Sequence, residues 1–130
     1  MNYLAVLVAA LAAFGVGALW YSFLFQKPWM ELMGFDADSM RSMPLTGTQA
    51  MGIGFVTTLV MVYVLAIFVS VAPNVQGALM LAFWLWLGFT ATVQIGSFLW
   101  EGKPIKLFLI NASQTLVAML VAALILVLWR

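Results

Sequence analysis

The sequence contains no cysteine and no histidine. Without cysteine there are no disulfides, no thiolate chemistry and no clue to redox compartment. Without histidine the chain lacks the usual general base near neutral pH, and zinc or haem sites lose two of their commonest ligands. Charge is also scarce: five basic and four acidic residues leave a formal net charge of +1, with neither a basic stripe nor an acidic tail. Nucleic-acid binding is therefore set aside. Glu31, Asp36 and Asp38 lack the glycine-turn spacing of a calcium loop and read as a solvated face, so no metal and no cofactor is expected. Met1-Asn2-Tyr3 offers no basic n-region, so the first apolar stretch is expected to be a retained span rather than a cleaved secretory signal.

What the sequence has in quantity is apolar surface. Hydrophobic residues make up 66% of the chain and charged residues 7%, with a mean hydropathy of +1.15, whereas ordinary soluble domains are roughly a quarter charged. A domain this small leaves much of its chain exposed, so the solvent for that surface must be lipid. A spanning helix needs about 20 apolar residues to cross roughly 30 Å of hydrocarbon. Four charge-free stretches meet that need, at 4–25, 50–71, 77–98 and 107–129. The fold expected is an all-α integral membrane protein: one domain over 1–130, a four-transmembrane-helix bundle.

The helix ends carry suitable punctuation. Thr46 and Gln49 read as a capping box, Pro73-Asn74 as a tight turn, and Pro104 as a first-turn proline. Trp20, Trp29, Trp100 and Trp129 lie near span ends, where amphipathic rings favour the headgroup level; Trp84 and Trp86 lie too deep for that explanation. The loop 26–45 is too apolar to be a solvated linker. Within it 28–33, opened by Pro28 and closed by Gly34, reads as a short interfacial helix, with Asp36, Asp38 and Arg41 on its wet side.

Orientation follows from the basic residues. Lys27 and Arg41 lie in the first loop, Lys103 and Lys106 in the third, none in the second, and Arg130 at the end. The odd loops are therefore expected to be cytoplasmic and both termini non-cytoplasmic. Ser22-Phe23-Leu24-Phe25-Gln26-Lys27-Pro28 also overlays Ser97-Phe98-Leu99-Trp100-Glu101-Gly102-Lys103-Pro104 with one inserted glycine. That overlay suggests two duplicated parallel hairpins related by an axis along the membrane normal; chance similarity among common Phe and Leu residues is the alternative.

Gly17-Ala18-Leu19-Trp20-Tyr21-Ser22 leading into Lys27-Pro28-Trp29-Met30, and Glu101-Gly102-Lys103-Pro104 leading into Leu107 and Ile110-Asn111, resemble the bacterial four-helix membrane family catalogued as domain of unknown function 1761. The resemblance covers nearly the whole chain. It implies the four-helix architecture and a bacterial inner-membrane location, and it carries no activity. Phe23 and Gln26 stand where the family pattern often has proline and glycine, so it does not imply a kink in the first helix.

With the spans free of charge, amides and hydroxyls are the informative side chains. Thr90, Gln94 and Ser97 share a face of the third helix, and Asn111, Gln114 and Thr115 a face of the fourth. A hairpin turning near Glu101 to Lys103 sets Gln94 at the depth of Asn111 and Thr90 at that of Gln114. Asn111 then lies roughly 6 to 10 Å inside the cytoplasmic boundary, a depth that Tyr21 and Ser22 approach. Such a cluster reads first as packing glue, at about 0.6 kcal/mol per contact. The functional alternative is a site for a polar headgroup or small solute, flanked by Glu101, Lys103 and Lys106. Glu101 itself reads as one half of an exposed ion pair with Lys103 or Lys106.

Small residues form stripes at Ala9, Ala13 and Gly17, at Gly88, Thr92 and Gly96, and at Ala118 and Ala122, a spacing that lets helices approach closely. Four helices are few for an internal pathway, so a homo-oligomer is expected, most simply a two-fold dimer. The leading functional reading is a non-catalytic binding or assembly module for a lipid, an apolar small molecule or a membrane-protein partner. An oligomeric channel or carrier for a small neutral solute is the alternative, since ion-coupled carriers usually place ionisable residues in the membrane. An enzyme ranks last, because no nucleophile is visibly paired with a base.

Overall fold

The computed structural model describes residues 2–24, 27, 28, 31 and 47–130. Four of its helices are long and apolar enough to cross a membrane: α1 (Tyr3–Leu24), α2 (Gly47–Val69), α3 (Val75–Leu99) and α4 (Ile105–Leu128). Most of the expected interfacial helix at 28–33, together with Trp29, Asp36, Asp38, Arg41 and Thr46, lies outside the described residues.

The helix ends follow from local chemistry. Asn2 caps α1, its side-chain oxygen accepting from the Ala5 N–H at 3.2 Å. At the α2–α3 turn Asn74 accepts from the Gly77 N–H at 2.8 Å and so satisfies an orphan donor of the first turn of α3. Gly102 sits at φ +70°, a left-handed conformation glycine adopts without steric cost, and lets the chain reverse between α3 and α4. Pro104 occupies the N-cap of α4, just before the first turn where the sequence reading had it.

Two helices are locally widened. Residues Trp20–Leu24 of α1 and Trp86–Ala91 of α3 form π-type turns. In α3 the cause is legible: Gly88 weakens the turn, and the Thr92 hydroxyl donates back to the Gly88 carbonyl at 2.8 Å. So α1 does depart from a regular helix near its end, although no proline stands there.

The helix α4 packs against all three others, whereas α2 has little contact with α3. Accordingly 39% of the most apolar window of α4 is buried, against 17% in α3. A strict repeat of two hairpins would give the α2–α3 pair the same packing as α4–α1, so the packing is not two-fold symmetric.

The core is built from small side chains at the end of the bundle that carries Asn2 and Arg130. Ala9, Ala10, Ala78, Ala82, Ala122 and Ala123 are fully buried there beside Val62 and Val69. In lipid, helices gain nothing from hiding apolar surface from water, so close backbone approach and dispersion hold them together. On α2 the buried residues Val62, Leu65, Ala66 and Val69 all lie in its second half. Its first half therefore stands away from the bundle at the other end, near Lys27, Lys103 and Lys106. An edge-to-face contact of Phe14 with Phe55, centroids 5.8 Å apart, marks the change from sealed core to open cleft.

Candidate functional site

The polar side chains gather along one stretch of α4, Asn111 to Thr115, and donors reach it from both sides. From α1 the Trp20 indole N–H donates to the Ser113 hydroxyl at 3.2 Å, and the Tyr21 hydroxyl donates to Asn111 Oδ1 at 2.7 Å. From α3 the Trp86 indole N–H reaches both the Ala112 carbonyl at 2.9 Å and Thr115 Oγ1 at 3.1 Å. Thr115 lies 3.2 Å from Gln94 Oε1 and donates to it, sharing its one proton with the Ala112 carbonyl of its own helix at 3.0 Å.

The π-type turns position these donors. Successive residues of a π turn are separated by a smaller angle than in an α-helix, so the adjacent Trp20 and Tyr21 can face the same neighbour. Trp86 opens the widened turn of α3 in the same way. Each widened turn thus delivers aromatic donors to one polar segment of α4.

Gln94 meets Thr115, not Asn111, and the Thr90 hydroxyl faces Met119 Sδ at 3.9 Å, not Gln114. Matching residues by depth alone ignores side-chain direction. Every Cα–Cβ bond tilts toward its helix N-terminus, so α3 side chains lean away from the Glu101–Lys103 turn while α4 side chains lean toward it. Contacting pairs are consequently offset by about one turn.

The other expected residues divide between two cavities. Tyr21, Ser22 and Gln114 line a cleft of about 650 Å³ between α1, α2 and α4, joined by Thr57 and Thr58 of α2. Its remaining wall is apolar, including Ala13, Phe14, Ala18 and Met51, and among the described residues no charged side chain lines it. Gly17 leaves room for Gln114 here: a Cβ there would stand 3.3 Å from Gln114 Nε2, so the amide would have to shift. Gln94, Ser97, Glu101 and Asn111 line a second cavity of about 390 Å³ on the α3 side, with Trp100 at its edge. The Ser97 hydroxyl donates to the Gln94 carbonyl at 3.1 Å, and the Lys103 backbone N–H to the Ser97 carbonyl at 3.0 Å.

Glu101 forms no ion pair with Lys103 or Lys106 among the described residues. At an exposed reversal through Gly102 water solvates the carboxylate, and pairing would have to hold long side chains in one geometry for little gain.

Sequence reasoning missed Trp20, Trp86, Ser113, Thr57 and Thr58. Trp86 had a usable signal, since an indole N–H at mid-span depth needs an acceptor. Trp20 was hidden by its position near a helix end, where a headgroup anchor is the ordinary explanation.

The arrangement sets hydroxyls, amides and indoles on helices beside two openings. No curated protein and no solved structure matches the chain. One family model does, over residues 4–127. Its span takes in all of the Asn111–Thr115 segment and both widened turns, and the chain accordingly belongs to the family described as "Protein of unknown function (DUF1761)".

Proposed function

We propose that the protein is a non-catalytic membrane binding module that seats a lipid or lipid-like amphipath in the cleft between α1, α2 and α4. The observation that carries this reading is the mixed wall of the cleft. It presents the hydroxyls of Tyr21, Ser22, Thr57 and Thr58 and the Gln114 amide beside Phe14, Met51 and alanines. An amphipath with an uncharged polar head and an apolar chain matches that mixture. A cleft of about 650 Å³ is within the usual range for small-molecule sites.

With the lysines cytoplasmic by the positive-inside rule, the ligand enters from the cytoplasmic leaflet of the inner membrane. A two-fold homodimer belongs to the same proposal. The stripes at Ala9 and Ala13 and at Ala118 and Ala122 are consumed inside the chain, whereas Gly88 and Thr92 remain on the outer face of α3.

A lipid bearing a photoactivatable diazirine in its acyl chain tests the cleft. Adducts concentrated on the peptides holding Phe14, Ala18 and Met51 are expected. Adducts spread evenly over outward residues such as Leu4, Val60 and Leu109 would contradict the proposal. Rapid flux of a neutral solute through liposomes, without localised adducts, would favour the oligomeric channel instead.

A further inference from the structure

The second cavity, on the opposite side of the Asn111–Thr115 segment, is not used by the cleft ligand, and its chemistry is different. It holds a carboxylate, Glu101, that neither nearby lysine neutralises. It also holds two amides with spare donors. Asn111 uses its oxygen to accept from Tyr21, and Gln94 uses its oxygen to accept from Thr115. The –NH2 groups of both thus have no partner among the described residues. Trp100, 86% exposed, adds an aromatic ring at the rim.

An acceptor of full negative charge beside two neutral donors fits neither a purely anionic nor a purely apolar ligand. It fits a group with a cation at one end and a hydrogen-bond acceptor a few atoms away. An ammonium satisfies Glu101 and is attracted to the face of an indole. A phosphate or ester oxygen satisfies the amides. The cavity is adjacent to the α3–α4 reversal, where the charge-free spans end and lipid headgroups lie.

We infer that the cavity lined by Gln94, Ser97, Trp100, Glu101 and Asn111 binds a zwitterionic ammonium–phosphate group of the phosphoethanolamine type, with the ammonium on Glu101. The group can be carried by a membrane lipid or by a small soluble molecule. This site is separate from the cleft and stands or falls without it.

Native mass spectrometry of the full chain released from nanodiscs of equal phosphatidylethanolamine and phosphatidylglycerol content tests it. Wild type is expected to retain the ethanolamine lipid preferentially, and Glu101→Gln to reduce that preference by about fivefold, as suits an exposed charge contact. Glu101→Asp should restore part of it. Glu101 is exposed and off the helix packing, so these variants keep the fold, which the helical circular dichroism signal verifies. Binding of soluble phosphoethanolamine to delipidated protein, lowered in Glu101→Gln, would support the inference with a soluble source. Retention of the lipid alone would support it with a membrane source. The same lipid ratio in wild type and Glu101→Gln overturns it. Photolabelling of the cleft is unaffected by that result, so the two proposals fail separately.

Discussion

Replacing Tyr21 by phenylalanine removes one oxygen atom and leaves the ring in place, which makes it the cleanest probe of how α1 is held to α4. The hydroxyl donates to Asn111 Oδ1 at 2.7 Å, the usual length for an O–H···O bond. Hydrogen bonds between helices in membranes average about 0.6 kcal/mol and reach about 1.7 kcal/mol. The Tyr21–Asn111 bond is short and half-buried, which places it above the average. Its closeness to an open cleft, where another group can replace the lost partner, keeps it below the maximum. A coupling of about 1 kcal/mol is expected. The single substitution is not a clean measure of this, because Tyr21 takes part in a further interaction besides that with Asn111. The assay is therefore a double-mutant cycle with Tyr21→Phe, Asn111→Leu and the pair, unfolded by SDS from mild detergent and followed by circular dichroism. Additivity to within about 0.3 kcal/mol would refute the claim that this bond joins the two helices.

Four further outcomes follow from local geometry. Gly77→Ala places a Cβ 2.9 Å from Pro73 Cδ, and the ring cannot yield; overpacking of about 1–3 kcal/mol should outweigh the gain in helix propensity and lower the thermal midpoint. Gly15→Ala, with nothing within 4 Å, should leave the midpoint unchanged or raise it. Arg130 donates from one guanidinium nitrogen to the carbonyls of Val69 at 3.0 Å and Ala72 at 2.6 Å, so Arg130→Ala should cost about 1–2 kcal/mol in SDS unfolding by uncapping the C-terminus of α2. Trp86→Phe should destabilise more than Thr115→Val in the same assay, because without the Thr115 hydroxyl the indole still has the Ala112 carbonyl at 2.9 Å.

The four helices were legible because a charge-free run of 20 or more residues has one solution in lipid, a helix that satisfies its own backbone. The turns were legible for equally local reasons: Asn74 and Gly102 act on backbone groups a few residues away. The polar cluster was legible as a neighbourhood, since Gln94, Asn111, Tyr21 and Thr115 do converge on one segment of α4. Its pairings were not. Partner choice depends on the tilt of each Cβ and on the widened turns at Trp20 and Trp86, and spacing rules that assume 3.6 residues per turn are blind to both. Thr57 and Thr58 escaped notice because each hydroxyl bonds the Gly54 carbonyl one turn back, and only the separation of α2 from the bundle brings them to a cleft.

The account rests on the cleft holding an amphipathic ligand, and the most direct measurement is the mass of what stays bound. Wild type and Gly17→Val are purified in mild detergent and compared by native mass spectrometry. The added side chain starts 3.3 Å from Gln114 Nε2, displacing that amide and narrowing the cleft. The expected result is one retained lipid-sized molecule per chain in wild type and its loss in Gly17→Val, with helical content unchanged. Equal retention in both proteins, or none in wild type, would contradict the account.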